Sequence, residues 1–349
     1  MFLFDKYKIK PITNKIYYNP KLFFNEDIAK DLYIKGHDNE IQNFLFYGNN
    51  GCGRHSLVNL LLYYIYGEEI YNIKSQQYTI KTNNNTIEYK TIKQSQHHII
   101  YYPQKNNFDK NILQSIIQSF ITIQNPNNYL ITNDKLFKII VIDNIENLSI
   151  SAQESLKATI EKYSKICRFI FISKSIDCII DALKSRIVPI KIDNPNNNQL
   201  LTCAINICHN EKQNYNINDL MELVNKSNQN IKKLMFLLQL YFLKVPIIDS
   251  IDKAYNDIIN LIYKKSFKYT KTIINKIYDI LITNIESKQI IKELLDRLIK
   301  KENNMKLINK FIKISIKHSK LLSNSRRDIM MLKDYINCLI VLLKKYDNN

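Results

Sequence analysis

Apolar positions follow two different periods along this chain, and the change falls near residue 195. Before it, short runs rich in Ile, Val, Phe and Tyr at 44–47, 77–81, 87–91, 98–102, 138–143, 168–173 and 188–192 read as strands. Between them, segments 56–66, 111–123 and 152–163 have the period of helices. Strands alternating with helices predict an α/β fold, a mostly parallel sheet covered on both faces. The strand pair flanking Asn83-Asn84-Asn85 reads as a hairpin with a polar turn, inserted on that sheet. Pro195, among Asn194, Asn196, Asn197 and Asn198, forms a polar hinge. Beyond it the pattern is helical only. Segments 200–209, 217–226 and 231–243 make a compact helical set, and long amphipathic helices follow Pro246. Ile273, Ile274, Ile277, Ile280 and Leu281, then Ile290, Ile291, Leu294, Leu295 and Leu298, give one wide apolar face per helix. The expected domains are therefore 1–195, 196–247 and 248–349.

Glycine sharpens this picture. The chain has only five, and three of them are Gly48, Gly51 and Gly53. They lie between the strand at 44–47 and an apolar helical run, and a chain so poor in glycine places it where positive φ or close ligand approach is needed. Strand, glycine loop and helix together aim backbone N–H groups and a helix N-terminus at a phosphate. The spacing is that of a P-loop, G-x-x-x-x-G-K-[ST], with Arg54 in place of Lys and His55 in place of Ser or Thr. A second element is the strand Lys138 to Asp143, which ends in an acid as a Walker B strand does. There the Asp holds Mg²⁺, usually through water. The residue that would follow as catalytic Glu is Asn144, and an amide cannot accept a proton. Glu146 comes two residues later, across an expected turn.

Composition narrows the class further. A formal net charge of +18 points to polyanions, nucleic acid first, although AT-rich coding, visible in the abundance of Asn, Ile, Lys and Tyr, accounts for part of the excess. Six scattered cysteines, without a disulfide framework, fit reduced thiols in a cytosolic or nuclear protein. No run of about 18 apolar residues occurs, so no membrane span is predicted. The opening MFLFDKYKIK carries charges where a signal peptide has an apolar core, so secretion is not expected. Cys203, Cys208 and His209 do not share a helix face and lack a second ligand pair, so they read as packing residues and not as a zinc site. His97-His98 reads as strand surface, and Tyr63, Tyr64 and Tyr66 as helix packing.

The run DNIENLSISAQESLKATIEKY, Asp143 to Tyr163, resembles the small subunits of the replication factor C clamp loader. That family shows an acidic box, then L-[ST]-x-x-A-Q-x-A-L-R-R-x-M-E-x-Y. Cys167-Arg168-Phe169-Ile170 resembles the family's C-R-[LF]-I, and Lys184-Ser185-Arg186-Ile187 its arginine-finger motif R-S-R-C. Asp5-Lys6-Tyr7-Lys8 is similar to its opening K-Y-R-P. The hairpin followed by Asp109-Lys110 and a helix most resembles subunit 3 (subunit 5 in some nomenclatures), whose ATP site is often non-hydrolysing.

The resemblance implies an AAA+ P-loop domain, a helical lid, and an all-α collar through which a hetero-pentamer assembles. It implies ATP as cofactor, with Gly48, Gly51, Gly53, Arg54, His55, Ser56, Asp143, Lys174, Lys232 and Tyr7 around it. Lys174 falls where the family has the sensor-1 Asn, and Lys232 aligns with the sensor-2 Arg. Asp143 would hold Mg²⁺ through water, but imidazole at His55 suits a hard, oxygen-preferring cation poorly. Ser56 could replace it only if the loop slipped by one residue. These departures imply nucleotide binding with little or no turnover by this chain. Ser185 and Arg186 would reach a neighbouring subunit's γ-phosphate, a contribution worth roughly 10³–10⁵ in rate in other NTPases. Lys110, Asn111 and Lys157 would meet primer–template DNA without reading its sequence, with the sliding clamp and other clamp-loader subunits as further partners. The implied location is a nucleus or a viral replication compartment. Two other readings fit the same residues: an autonomous AAA+ ATPase using Arg54 and Glu146, and a structural collar subunit that has lost nucleotide.

Overall fold

Alternate residues of the central strands feed two different cores, the arrangement a sheet buried on both faces requires. The computed structural model describes residues 2–7, 24–37, 41–81, 87–103, 109–122, 137–245, 250–283, 285, 287–324 and 328–347. It divides into two units, Met1–Pro246 and Ile247–Asn349. In the first, the strands are β1 (Phe44–Tyr47), β2 (Lys74–Lys81), β3 (Ile87–Gln94), β4 (His98–Tyr101), β5 (Lys138–Asp143), β6 (Cys167–Ser173) and β7 (Val188–Lys191). They form one sheet in the order β2-β3-β4-β5-β6-β1-β7. The five strands from β4 to β7 are parallel. The β2–β3 hairpin joins antiparallel at the β4 edge, and its expected turn at Asn83-Asn84-Asn85 lies outside the described residues.

The helices of this unit are α1 (Leu3–Lys6), α2 (Glu26–His37), α3 (Arg54–Tyr66), α4 (Asp109–Thr122), α5 (Ile150–Lys162), α6 (Asp181–Lys184), α7 (Asn197–Asn210), α8 (Ile217–Ser227) and α9 (Ile231–Phe242). Leu45, Ile140, Ile142, Phe169 and Phe171 join a core with α4 and α5 residues such as Ile116 and Leu156. Phe44, Phe46, Ile139, Val141, Ile170 and Ile172 join the opposite core with Ala29 and Leu32 of α2 and Leu57 and Leu61 of α3. Helix α2 is absent from the sequence reading; it buries Ala29 and Leu32 fully and packs Ile28 on the same core and Tyr33 on Tyr64, with charged residues between them. Helix α3 begins at Arg54, two residues before its expected start, since its first backbone bond runs from Leu57 N–H to Gly53 O at 3.1 Å.

Helices α7 to α9 close a small core of their own with Leu200, Cys203, Ala204, Ile207, Leu220, Leu223, Leu234 and Leu238. Asn196 and Gln199 form a reciprocal capping box at the start of α7, so the polar hinge is also a helix start. Cys203 and Cys208 are buried in this core, and His209 faces the Tyr215 hydroxyl at 3.1 Å. The second unit consists of α10 (Ser250–Tyr263), α11 (Thr270–Ile282), α12 (Ser287–Lys301), α13 (Met305–Asn324) and α14 (Asp328–Asp347). Their apolar faces meet in one cluster that includes Ile262, Ile277, Leu294, Phe311, Tyr335 and Leu339.

One buried acid fixes two of the helices on the sheet. Asp109, 1% exposed, accepts bonds from Ser149 N–H at 2.6 Å, the Ser149 hydroxyl at 2.9 Å and Lys110 N–H at 2.8 Å. Ser149 is in turn the N-cap of α5. The carboxylate therefore locks the N-termini of α4 and α5 side by side. Hydrogen bonds to a charged group are worth about 1.5–3 kcal/mol each, and removing this one leaves buried donors unpaired. Asp109→Ala should lower unfolding free energy by about 3 kcal/mol in chemical denaturation; a loss below about 1 kcal/mol would show that the carboxylate does not hold these helix ends.

Candidate nucleotide site

The glycine loop leaves β1 at the C-terminal edge of the parallel strands, between β6 and β7. Loops at such strand ends are where doubly wound sheets bind ligands. Gly48 N–H donates to Ser173 O at 3.3 Å, and a Cβ on Gly48 would overlap the Ile192 carbonyl. Gly51 has φ +83° and Gly53 φ +101°, backbone conformations that favour glycine. Gly53 immediately precedes α3, and the space beside its Cα is open. A cleft of about 390 Å³ borders the loop, lined by Tyr47, Gly48, Lys174, Asp177, Lys191 and Asp193 among others. The loop, the α3 N-terminus and Lys174 thus stand at one place, as a phosphate-binding site requires.

The altered side chains are satisfied from within. Arg54 is 6% exposed; its guanidinium donates to the Ser173 carbonyl and to Asn50 Oδ1 at 2.9 Å. His55 Nε2 lies 3.5 Å from Asp143 Oδ2, so the imidazole stands against the Walker B acid. Because α3 starts at Arg54, His55 and not Ser56 faces Asp143. Burial pushes the Asp143 carboxyl up from its usual range, and His55 opposes that shift. Its Oδ1 has no hydrogen-bond partner among the described residues. Asn144 is left-handed at φ 53° and opens a 3-10 turn over Ile145–Asn147. The strand therefore ends, and Glu146 leaves its line, with both carboxylate oxygens enclosed and unpaired among the described residues. A donor set of one carboxylate and an imidazole does not fit Mg²⁺, which demands oxygen ligands in near-octahedral geometry.

Helix α9 approaches the loop from the other side. Ile231 N–H donates to Gly51 O at 3.2 Å, and the Asn230 side chain lies where a Gly51 Cβ would stand. Asn230 also caps α9, accepting from Lys233 N–H at 3.0 Å. Lys232, the second residue of α9, is exposed beside this contact. Tyr7 lies elsewhere: its hydroxyl donates to Glu211 Oε1 at 2.6 Å, next to Lys6 Nζ at 2.7 Å from the same atom. Burial first, then Glu211, push the Tyr7 phenol well above its ordinary value. Sequence reasoning missed Asn230 and Asn50; Asn230 has the signature of a helix cap, but nothing in the chain announces that the cap rests on the glycine loop.

Arg186 and Ser185 sit at the opposite edge of the sheet. They precede β7, whose Val188 is in register with Phe44, and the Asn43 side-chain amide faces the Arg186 carbonyl at 3.5 Å. The glycine loop leaves after Tyr47, which pairs with Lys191. Strand rise of about 3.3 Å per residue separates the two ends by roughly 13 Å or more. The guanidinium is half-buried, bridged to Glu161 of α5 at 2.6 Å and donating to Ala182 O and Ser185 Oγ, both at 2.8 Å. Gln153, earlier on α5, holds the segment leading to it, through Cys178 O at 3.2 Å and Ile180 N–H at 3.1 Å. Lys110 is exposed in the first turn of α4, Asn111 partly exposed beside it, and Lys157 partly exposed on α5.

A parallel sheet in this strand order, a glycine loop before α3, an acid ending β5 and a three-helix set touching the loop define a P-loop module of the AAA+ class. Similarity to known proteins carries this further. A protein of Acanthamoeba polyphaga mimivirus, described as a replication factor C small subunit, is 30% identical over 342 residues, covering 97% of this chain and 90% of that one. Replication factor C subunit 3 of Arabidopsis thaliana is 27% identical over 322 residues, 88% of each chain. No protein-family model matches. A solved DNA polymerase III gamma subunit-related protein of Thermotoga maritima covers 90% of this chain at 11% identity, with a TM-score of 0.49. The chain belongs to the replication factor C small-subunit family.

The Gly51–Asn230 contact gives a direct test of this geometry. Gly51→Ala must place a Cβ into the Asn230 amide at a left-handed φ, a strain of about 1–3 kcal/mol. The variant should stay folded, while hydrogen exchange at the Ile231 amide accelerates by about tenfold or more. Unchanged exchange would mean that α9 does not rest on the loop in solution.

Proposed function

We propose that this chain is a clamp-loader subunit that holds a nucleoside triphosphate without Mg²⁺ and without turnover, and completes the active site of a neighbouring subunit with Arg186. The observation that carries the proposal is the separation of Arg186 from its own glycine loop across the length of β7 and β1. From there it cannot reach a phosphate in its own chain. Its planar, permanently charged fork suits a neighbour's γ-phosphate, where charge accumulates in the transition state. Glu161 keeps the side chain oriented meanwhile.

The chain's own site supports binding more than catalysis. Backbone N–H groups, the α3 N-terminus, Lys174 and Lys232 supply attraction for phosphates, while Arg54 braces the loop from behind. No base follows Asp143 on the strand, and the imidazole of His55 occupies the face where a metal would be held. The pairing of Arg54 with Ser173 and Asn50 weighs against an autonomous ATPase built on Arg54. Its relatives' names set it in replication factor C; in this reading its partners are the other subunits, the sliding clamp and primer–template DNA. DNA contact is assigned to Lys110, Asn111 and Lys157, whose helices Asp109 holds together. Such contact is to phosphates, sequence-independent and weakened by salt. Among the described residues no helix is long and apolar enough to cross a membrane.

Complexes reconstituted with wild-type or Arg186→Ala subunit test the proposal. Size-exclusion chromatography should show equal assembly, because Arg186 is not a core residue. DNA- and clamp-stimulated ATP hydrolysis should fall by at least about tenfold, within the scale of other arginine fingers, and Arg186→Lys should restore it only in part. Full activity in the Ala variant would reduce Arg186 to a partner of Glu161.

A further inference from the structure

The second unit contains a cluster that nothing in nucleotide or DNA binding accounts for. His318 on α13 and Asp334 and Cys338 on α14 bring one nitrogen, one oxygen and one sulfur within 4.8 Å of one another. Asp334 and Cys338 are one helical turn apart and so share a face. His318 is 1% exposed, and Tyr335 packs on its ring with centroids 5.5 Å apart.

Both ring nitrogens of His318 face acceptors. Nδ1 lies 2.9 Å from the Ile314 carbonyl and Nε2 3.1 Å from Asp334 Oδ2. A carbonyl can only accept, so Nδ1 carries a hydrogen. A neutral ring then turns the Nε2 lone pair toward a carboxylate oxygen, and either a proton, on the ring or on the carboxyl, or a metal ion must lie between them. A backbone-bonded Nδ1–H with Nε2 free to coordinate is the usual tautomer of a metal-binding histidine. Cys338 Sγ stands beside this pair as a third donor.

We propose that His318 Nε2, Asp334 Oδ2 and Cys338 Sγ bind a zinc ion that clips α13 to α14. Bonds of about 2.0–2.1 Å at tetrahedral angles place a nitrogen and an oxygen ligand about 3.3 Å apart, near the distance between His318 and Asp334. A mixed N, O and S set suits zinc and excludes Mg²⁺ and Ca²⁺. The Asp334 side chain is 64% exposed, which leaves an entry path and room for water as fourth ligand. On binding, the Cys338 S–H bond breaks, its proton passes to solvent, and sulfur donates its electron pair to the metal.

Cobalt(II) titration of the metal-stripped full-length chain tests this without reference to ATPase activity. One equivalent should produce tetrahedral d–d bands and a thiolate-to-cobalt charge-transfer band, both abolished by adding Zn²⁺, and Zn²⁺ should raise the melting temperature. Cys338→Ser, whose residue is only partly buried, should lose the charge-transfer band; Asp334→Asn should weaken cobalt binding by at least the roughly tenfold that even an outer-shell change costs. The exposed Cys178 makes the Ser variant decisive. Absence of the bands in the wild-type chain, their persistence in Cys338→Ser, or undiminished affinity in Asp334→Asn would each overturn the proposal.

Discussion

The parallel pairing of β1 with β6 and β7 is the constraint on which the rest of the nucleotide region depends. Parallel strands put their C-terminal ends on one edge, so the glycine loop after Tyr47, Lys174 after β6 and Asp193 after β7 meet there. The same pairing sends the residues before β7 to the other edge. One register therefore puts the phosphate loop and Arg186 at opposite edges of the sheet. The strands can pair this way because each is apolar on both sides, feeding Leu45, Phe169 and Phe171 to one core and Phe46, Ile170 and Ile172 to the other.

Within the site, charges that would normally face a nucleotide and a metal are paired with protein groups. Arg54 is held by a carbonyl at the end of β6, His55 by the acid at the end of β5, and the Gly51 carbonyl by the first turn of α9. Lysine and threonine at positions 54 and 55 could not make these contacts in the same way: an ammonium has no planar fork, and a hydroxyl is too short to reach as an imidazole does. Arginine and histidine here tie the start of α3 to the ends of β6 and β5. Asp109 and Gln153 extend the same economy to α5, holding its start to α4 and its flank to the segment that leads to Arg186.

The regular parts of this architecture were legible in the sequence because they follow from side-chain periodicity. Strands β1, β5 and β6 are apolar runs with two buried faces, and α8 and α11 have clear apolar stripes. Glycine scarcity exposed the loop, and Ser185-Arg186 stood out by resemblance to a motif. Helix α2 did not, because its apolar positions are few and interrupted by Glu26, Asp27, Lys30, Asp31 and Lys35. The hold of the Ser173 carbonyl on Arg54, the seat of Asn230 on Gly51 and the bridge from Glu161 to Arg186 were hidden for a different reason. Each joins residues far apart in the chain through polar atoms, and any Asn or Glu in a helix cap or on a helix face looks the same until the fold brings it to its partner.

The central claim is that this chain holds nucleotide by its backbone and its cations, with no metal and no base to turn it over. Equilibrium binding of ATP to the purified full-length chain, measured in parallel with excess Mg²⁺ and with EDTA while phosphate release is followed, tests it most directly. The account predicts equal affinity in the two conditions and no phosphate release above background. Binding that needs Mg²⁺ and is accompanied by steady phosphate release, or no binding in either condition, would contradict it.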